Sequence, residues 1–216
     1  MNVFEAARQA NVRKVIYAES SALYGGSKTL PTPETDVVPE SFYAISKFST
    51  MYFAEGYSRS FGLKSTALRY SCVYGPRQDY RRPIPPVFSS FIIILLREVK
   101  PTIYDTGEKR RDFIDVDDID DFQEMCMMDD RTTGKVFNLG SGLNYSINEI
   151  FEIIASLLGS SEKPAHKPDL PGEAFANLAD ISLARSLGWE PRVSLKEGLQ
   201  SSIEFIRNEL RRGNIS

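Results

Sequence analysis

The chain has 216 residues, of which 42% are hydrophobic and 25% charged, the values of a folded globular protein of one medium domain or one and a half. That composition excludes disordered, collagen-like and disulfide-scaffold classes. A formal net charge of -3 offers no basic field for a phosphate backbone, so nucleic acid is not expected as the principal partner.

Residues 2–10 have helical composition and lead into 12–18, a β-branched run suited to a buried strand. The stretch 25–41 is rich in Gly, Pro, Ser and Thr and reads as a long loop, a class that tends to be functional. A helix is predicted over 42–61, stopped by Gly62, and a second strand over 64–74, ending at Gly75-Pro76. Helix, strand, loop, helix, strand is the rhythm of a parallel α/β sheet. Pro83, Pro85 and Pro86 then break the chain before an apolar helix at 87–98. A domain boundary is therefore expected near residue 80. Ser146 to Glu149 and Ser194 to Glu197 have capping-box spacing and open two further helices. In the last of these, Leu195, Leu199, Ile203, Ile206 and Leu210 repeat at helical spacing and predict one buried face.

The two cysteines, Cys72 and Cys126, are far apart in sequence, and His166 is the single histidine, so no structural zinc set exists. Two cysteines fit a reducing compartment. The N-terminus has no apolar signal core, and the longest apolar run, 91–96, is far below the roughly 18 residues that span a bilayer. A cytoplasmic protein without membrane contact is expected. His166 falls in a Pro-rich stretch and is expected on a surface loop. The acids Asp112, Asp115, Asp117, Asp118, Asp120 and Asp121 crowd together, but a helix N-terminus explains 117–121 without a metal.

The sharpest chemical signal is Tyr43 with Lys47, an i, i+4 pair at the start of a predicted helix, which puts a phenol and an ammonium on one face. A tyrosine acts as a base near neutral pH only with such cationic support. The same spacing recurs at Tyr24 and Lys28, but two glycines between them mark a turn, where the residues need not face each other. Ser20 and Ser21 follow the first strand directly, at the carboxyl end where doubly wound sheets bind ligands.

Six segments, ESSALYG (19–25), PESFYAISK (39–47), LRYSCVYGPR (68–77), GEKRRDFIDVDD (107–118), VFNLGSG (136–142) and LADISLARSLGWEP (178–191), resemble in this order the extended short-chain dehydrogenase/reductase family. Within it the likeness is to the NAD-dependent nucleotide-sugar epimerases and dehydratases, nearest the UDP-glucose 4-epimerases. The resemblance implies an α/β fold: the C-terminal part of a Rossmann-like doubly wound parallel sheet in 1–80, and a smaller α/β substrate-binding domain in 81–216. It implies NAD as cofactor and a nucleotide-diphosphate sugar as partner. Tyr43 matches the catalytic tyrosine, Lys47 the lysine on the nicotinamide ribose, and Ser20 the catalytic hydroxyl, with Ser21 as its neighbour. Tyr70 matches an aromatic beside the nicotinamide and Val73 a backbone contact near it. Cys72, Arg77 and Arg111 fall on the substrate side, Arg111 matching the arginine on the diphosphate, a role suited to a guanidinium fork. The activity implied is epimerisation at sugar C4 through a 4-keto intermediate. A dehydratase or reductase of the same family is the alternative, although Ser21 and Ala22 stand where 4,6-dehydratases carry an acidic pair.

The chain also departs from the family pattern. It holds no G-x-G-x-x-G, and on the order of a hundred residues, about one mononucleotide-binding half, are absent from it relative to that pattern. Gly140-Ser-Gly142 lacks a third glycine. Cys72 stands in place of a usual asparagine, Leu170 in place of a second diphosphate-binding arginine, Asp115 in place of an aromatic or histidine, and Glu19 in place of a serine. Arg77, Arg81 and Arg110 are the residues able to replace the missing cation. The competing expectation is a non-catalytic fragment, or half of a split enzyme that pairs with a complementing N-terminal chain; a homodimer is the other expected assembly.

Overall fold

The computed structural model describes residues 1–82, 85–169 and 175–215. Helix α1 (Asn2–Gln9) leads to strand β1 (Val15–Ser20), and helix α2 (Phe42–Phe61) to strand β2 (Ser65–Tyr70). Both limits of α2 are set locally. Ser41, extended at φ -107° and ψ 153°, accepts the Ala44 N–H at 3.1 Å, and Gly62 ends the helix at φ 69°, a left-handed conformation that costs a glycine nothing.

Strands β1, β2 and β6 (Val136–Leu139) form a parallel sheet in the order β1-β2-β6, with Glu19 opposite Arg69 and Tyr70 opposite Leu139. Side chains alternate across it. Leu68, Phe137 and Leu139 turn toward α4 (Val116–Met128) and meet Ile119, Phe122 and Cys126. Tyr17 turns the other way, against Phe4 and Ala54 of α1 and α2. Helices thus cover both faces, the doubly wound arrangement expected. The proposed division at residue 80 is crossed by the chain itself, because β6 comes from the later segment and pairs with β2.

The strand expected over 64–74 is two strands. The ladder with β6 runs as far as Ser71, whose N–H donates to the Leu139 carbonyl at 2.9 Å. At Cys72 the chain changes partners, and β3 (Cys72–Tyr74) pairs with β5 (Arg110–Asp115), which also pairs antiparallel with β7 (Asn144–Ser146). Over this second sheet pack α3 (Val87–Leu96), α5 (Ile147–Leu158) and α7 (Leu195–Arg211). The apolar run 91–96 is core: Phe91, Ile92 and Leu95 are buried, with the Phe91 ring 5.5 Å from that of Phe151. Each such side chain contributes about 1.5–3 kcal/mol by leaving water. Leu199, Ile203 and Ile206 form the buried face of α7, and Leu195 and Leu210 lie partly buried at its ends. Both expected capping boxes form, at Ser146 with Glu149 and Ser194 with Glu197.

Strands β4 (Thr102–Tyr104) and β8 (Ala165–Lys167) make a small parallel pair, and α6 (Ser182–Arg185) is a single turn. His166 lies on β8 rather than on a loop; it is exposed, with Nδ1 2.8 Å from the Asp105 carbonyl.

Candidate active site

Tyr43 and Lys47 sit one turn apart in α2, Lys47 Nζ lying 5.7 Å from the centre of the Tyr43 ring. The capped first turn places them. Ala44, between them in sequence, is fully buried against Leu23 and Tyr24, while Tyr43 is 56% exposed. Leu23 and Tyr24 belong to the short 3-10 turn Ser21–Tyr24 that follows β1, so the first turn of α2 packs against the turn that follows Ser20. Ser20 Oγ accepts the Ala22 N–H at 3.2 Å and keeps its own proton to donate. Ser21, half-buried, begins the turn.

A cavity of about 470 Å³ opens between β3, β5 and the start of α3. Cys72, Val73, Arg111, Lys109, Arg82 and Gln78 are among the residues lining it. Arg111 is steadied by the carbonyls of Arg110 (2.9 Å) and Phe175 (3.4 Å), and Lys109 is paired with Asp169. The structure therefore brings together Cys72, Val73 and Arg111 of the expected residues, whereas Ser20, Ser21, Tyr43, Lys47, Tyr70 and Arg77 are not part of this lining. Arg77 is exposed at φ 68°. Val73 offers less than expected, since its carbonyl already accepts the Gln78 side-chain amide at 2.9 Å.

Two of the arginines considered as substitutes for the missing cation are engaged elsewhere. Arg110 donates to Glu149 and to both the side chain and the carbonyl of Asn144, each within 3.0 Å. Arg81 lines a separate cavity beside Arg97 and Ile215. Sequence reasoning missed Lys109 and Arg82. Lys109 carried a readable signal, because it precedes Arg111 by two in an extended segment and so shares its face. Leu170, the position matched to the second diphosphate arginine, lies outside the described residues.

The acidic cluster works on backbone. Asp112, fully buried, accepts from Ser141 N (2.7 Å), Ser141 Oγ (2.9 Å) and Ala179 N (3.2 Å), and burial pushes its carboxyl above the usual range. A Cβ on Gly140 would stand 2.2 Å from Asp112 Oδ2, which gives that glycine a packing reason. Asp115 caps α4 at Asp117 N, and Asp118 receives the N–H groups of Arg192 and Val193. Tyr70, half-buried against the α4 core, has its phenol pushed up to about 12 by burial, with Asp120 adding to the shift.

A family model described as the NAD dependent epimerase/dehydratase family matches residues 1–140. The chain belongs to the NAD-dependent epimerase/dehydratase family. It is 34% identical over 208 residues to the UDP-glucose 4-epimerase of Mycolicibacterium smegmatis, covering 95% of this chain and 66% of that one. It superposes with a TM-score of 0.91 and 35% identity on the Thermotoga maritima UDP-glucose 4-epimerase solved with UDP-glucose, covering 96% of this chain and 68% of that one. With the Methanobrevibacter ruminantium UDP-N-acetylglucosamine 4-epimerase, solved with UDP-N-acetylmuramic acid, the TM-score is 0.92 at 33% identity, covering 96% and 67%. The chain spans 61% to 68% of the length of three curated relatives.

The family is NAD-dependent, and residues of this chain would hold one end of that cofactor. Ala18, in the middle of β1, is exposed on the face that carries Ile16 and Tyr70, and Val73 packs with those two on the same core, apolar side chains that would suit a flat ring. No residue run of this sequence supplies the Gly-rich phosphate cradle, and among the described residues the outer edge of β1 carries no strand.

Proposed function

We propose that this chain carries the proton-handling and sugar-nucleotide-binding parts of a UDP-sugar 4-epimerase, with Tyr43, Lys47 and Ser20 as the catalytic set. The observation that supports it most is the seating of Ala44 on Leu23 and Tyr24, which sets the Tyr43 helix against the Ser20 turn. Tyr43 would accept the proton of the sugar C4 hydroxyl and return it after the sugar has turned over. Ser20 would donate a hydrogen bond to the same oxygen and steady it while its charge changes. Lys47, one turn further along the same helix, would reach the ribose of the cofactor. NAD, when bound against Tyr70 and Val73, supplies the acceptor and donor of hydride.

Substrate is held by the cations of the cavity. Arg111 presents a fork to a diphosphate, Arg82 adds charge, Lys109 stands beside them paired with Asp169, and Cys72 and Phe113 line the apolar wall. UDP-glucose is the substrate this reading favours. The test is conversion of UDP-glucose to its C4 epimer in the presence of NAD: Tyr43→Phe lowers kcat by roughly 10²–10⁴ and leaves UDP affinity unchanged.

A second reading, binding of the sugar nucleotide without turnover, is favoured by the missing phosphate cradle and the open edge of β1. A glycine-rich segment paired on that edge, within a longer polypeptide or on a second chain, would complete the cofactor site. UDP binding by the 216-residue chain with no turnover and no NAD binding identifies this case.

A further inference from the structure

Glu19 has no part in the chemistry above, yet its side chain is wholly buried, one residue before Ser20. Its Oε2 takes Arg69 Nε at 2.6 Å, and its Oε1 has no partner among the described residues. Burying an ion pair in this way is a poor means of gaining stability, because desolvation of both charges offsets their attraction, and an apolar pair of similar size often does as well. An orphaned carboxylate oxygen adds to the cost.

What the pair does hold is the segment that follows Ser20. Arg69 Nη1 donates to the Tyr24 hydroxyl at 3.1 Å and to the Glu34 carbonyl at 2.5 Å. The Tyr24 hydroxyl in turn donates to Asn138 Oδ1, and the Asn138 N–H donates to the Glu34 carboxylate at 2.9 Å. One guanidinium therefore fastens both the end of the turn Ser21–Tyr24 and the middle of the 25–41 loop, and Glu19 fixes that guanidinium.

The geometry points to Glu19 as a positioning residue, which acts through Arg69 to hold the turn after β1 and so sets where Ser20 stands beside the Tyr43 helix. The catalytic consequence rests on the epimerase reading; the clamp itself does not. Ser20 is the last ladder residue of β1, opposite Tyr70, and its hydroxyl is tied to the turn by the Ala22 N–H, so release of Tyr24 and Glu34 frees that tie and lets the hydroxyl turn away while the β1-β2 ladder stays intact.

The test is the double variant Glu19→Met with Arg69→Met, which removes both charges together. Amide hydrogen exchange is expected to rise at least tenfold across 20–36 with β2 unchanged, and kcat for UDP-glucose to fall at least tenfold with KM within twofold. Glu19→Gln, which keeps an acceptor for Arg69 Nε, gives smaller changes of the same kind and decides the matter where the double variant does not fold. Parental protection across 20–36 in the variant overturns the clamp, and lost protection with unchanged kcat overturns the positioning of Ser20. A parent chain without turnover sinks the epimerase reading instead, and hydrogen exchange still decides the clamp.

Discussion

Arg110 and Arg111, neighbours in β5, point to opposite faces of the sheet and do different work: Arg110 closes on Glu149 at 2.9 Å, and Arg111 faces the large cavity. The alternation of a strand makes this separation unavoidable. Two changes at adjacent positions therefore have separable effects.

Arg111→Leu weakens UDP binding by about 1.5–3 kcal/mol, the usual worth of a charge-assisted bond, roughly a factor of ten to a hundred. Arg110→Leu leaves UDP affinity within about twofold and lowers the thermal midpoint, since it strips Asn144 and Glu149 at the start of α5. Calorimetric titration with UDP and a melting curve on each variant check both statements, and equal loss of affinity in the two variants contradicts them.

Acid sensitivity follows from Glu5. The Arg8 guanidinium, with Gln9 and Tyr57 assisting, holds its carboxyl down from the usual 4.5 to about 2. A group with a lowered folded pKa stabilises above its unfolded value and loses that effect as pH falls. The difference in thermal midpoint between the parent and Glu5→Gln is therefore full above about pH 4.5 and closes between 4.5 and 2. A difference that stays constant down to pH 2 contradicts the assignment. Added salt shrinks it, because the pair is partly open to solvent.

Thiol chemistry separates the two cysteines. Cys126 is fully buried and burial pushes its thiol up to about 11, so at pH 8 it is protonated and shielded. Cys72 is half-buried on the wall of the cavity with Arg111. A disulfide reagent is expected to label Cys72 alone in the folded chain, and UDP to slow that labelling. Labelling unaffected by saturating UDP removes Cys72 from the nucleotide pocket.

Much of the local structure was legible in the sequence because its determinants lie within a turn or two. Ser41 and Gly62 bound α2, Ser146 and Ser194 open α5 and α7, and Leu199, Ile203 and Ile206 lie on one face. The break at Ser71 was not legible. The run Lys64 to Tyr74 is uniformly strand-like, and only the divergence of β6 from β5, some 70 and 40 residues away, divides it. That Arg110, one of three arginines able to replace the missing cation, is engaged elsewhere was hidden for the same reason: its partners, Asn144 and Glu149, come from a distant strand and helix.

By itself the sequence determined the doubly wound rhythm, the limits of the helices and the pairing of Tyr43 with Lys47, all set by capping, turn chemistry and 3.6-residue periodicity within a few positions. The tertiary structure alone decided which arginine reaches the cavity, that Arg82 joins Arg111 there, and that Glu19 is locked to Arg69. Those outcomes depend on strand register and sheet order, and a side chain 50 residues away becomes a neighbour only when two strands align. The residues of the proposed proton chemistry were therefore written locally, while the placement of the charges around them waited for the fold.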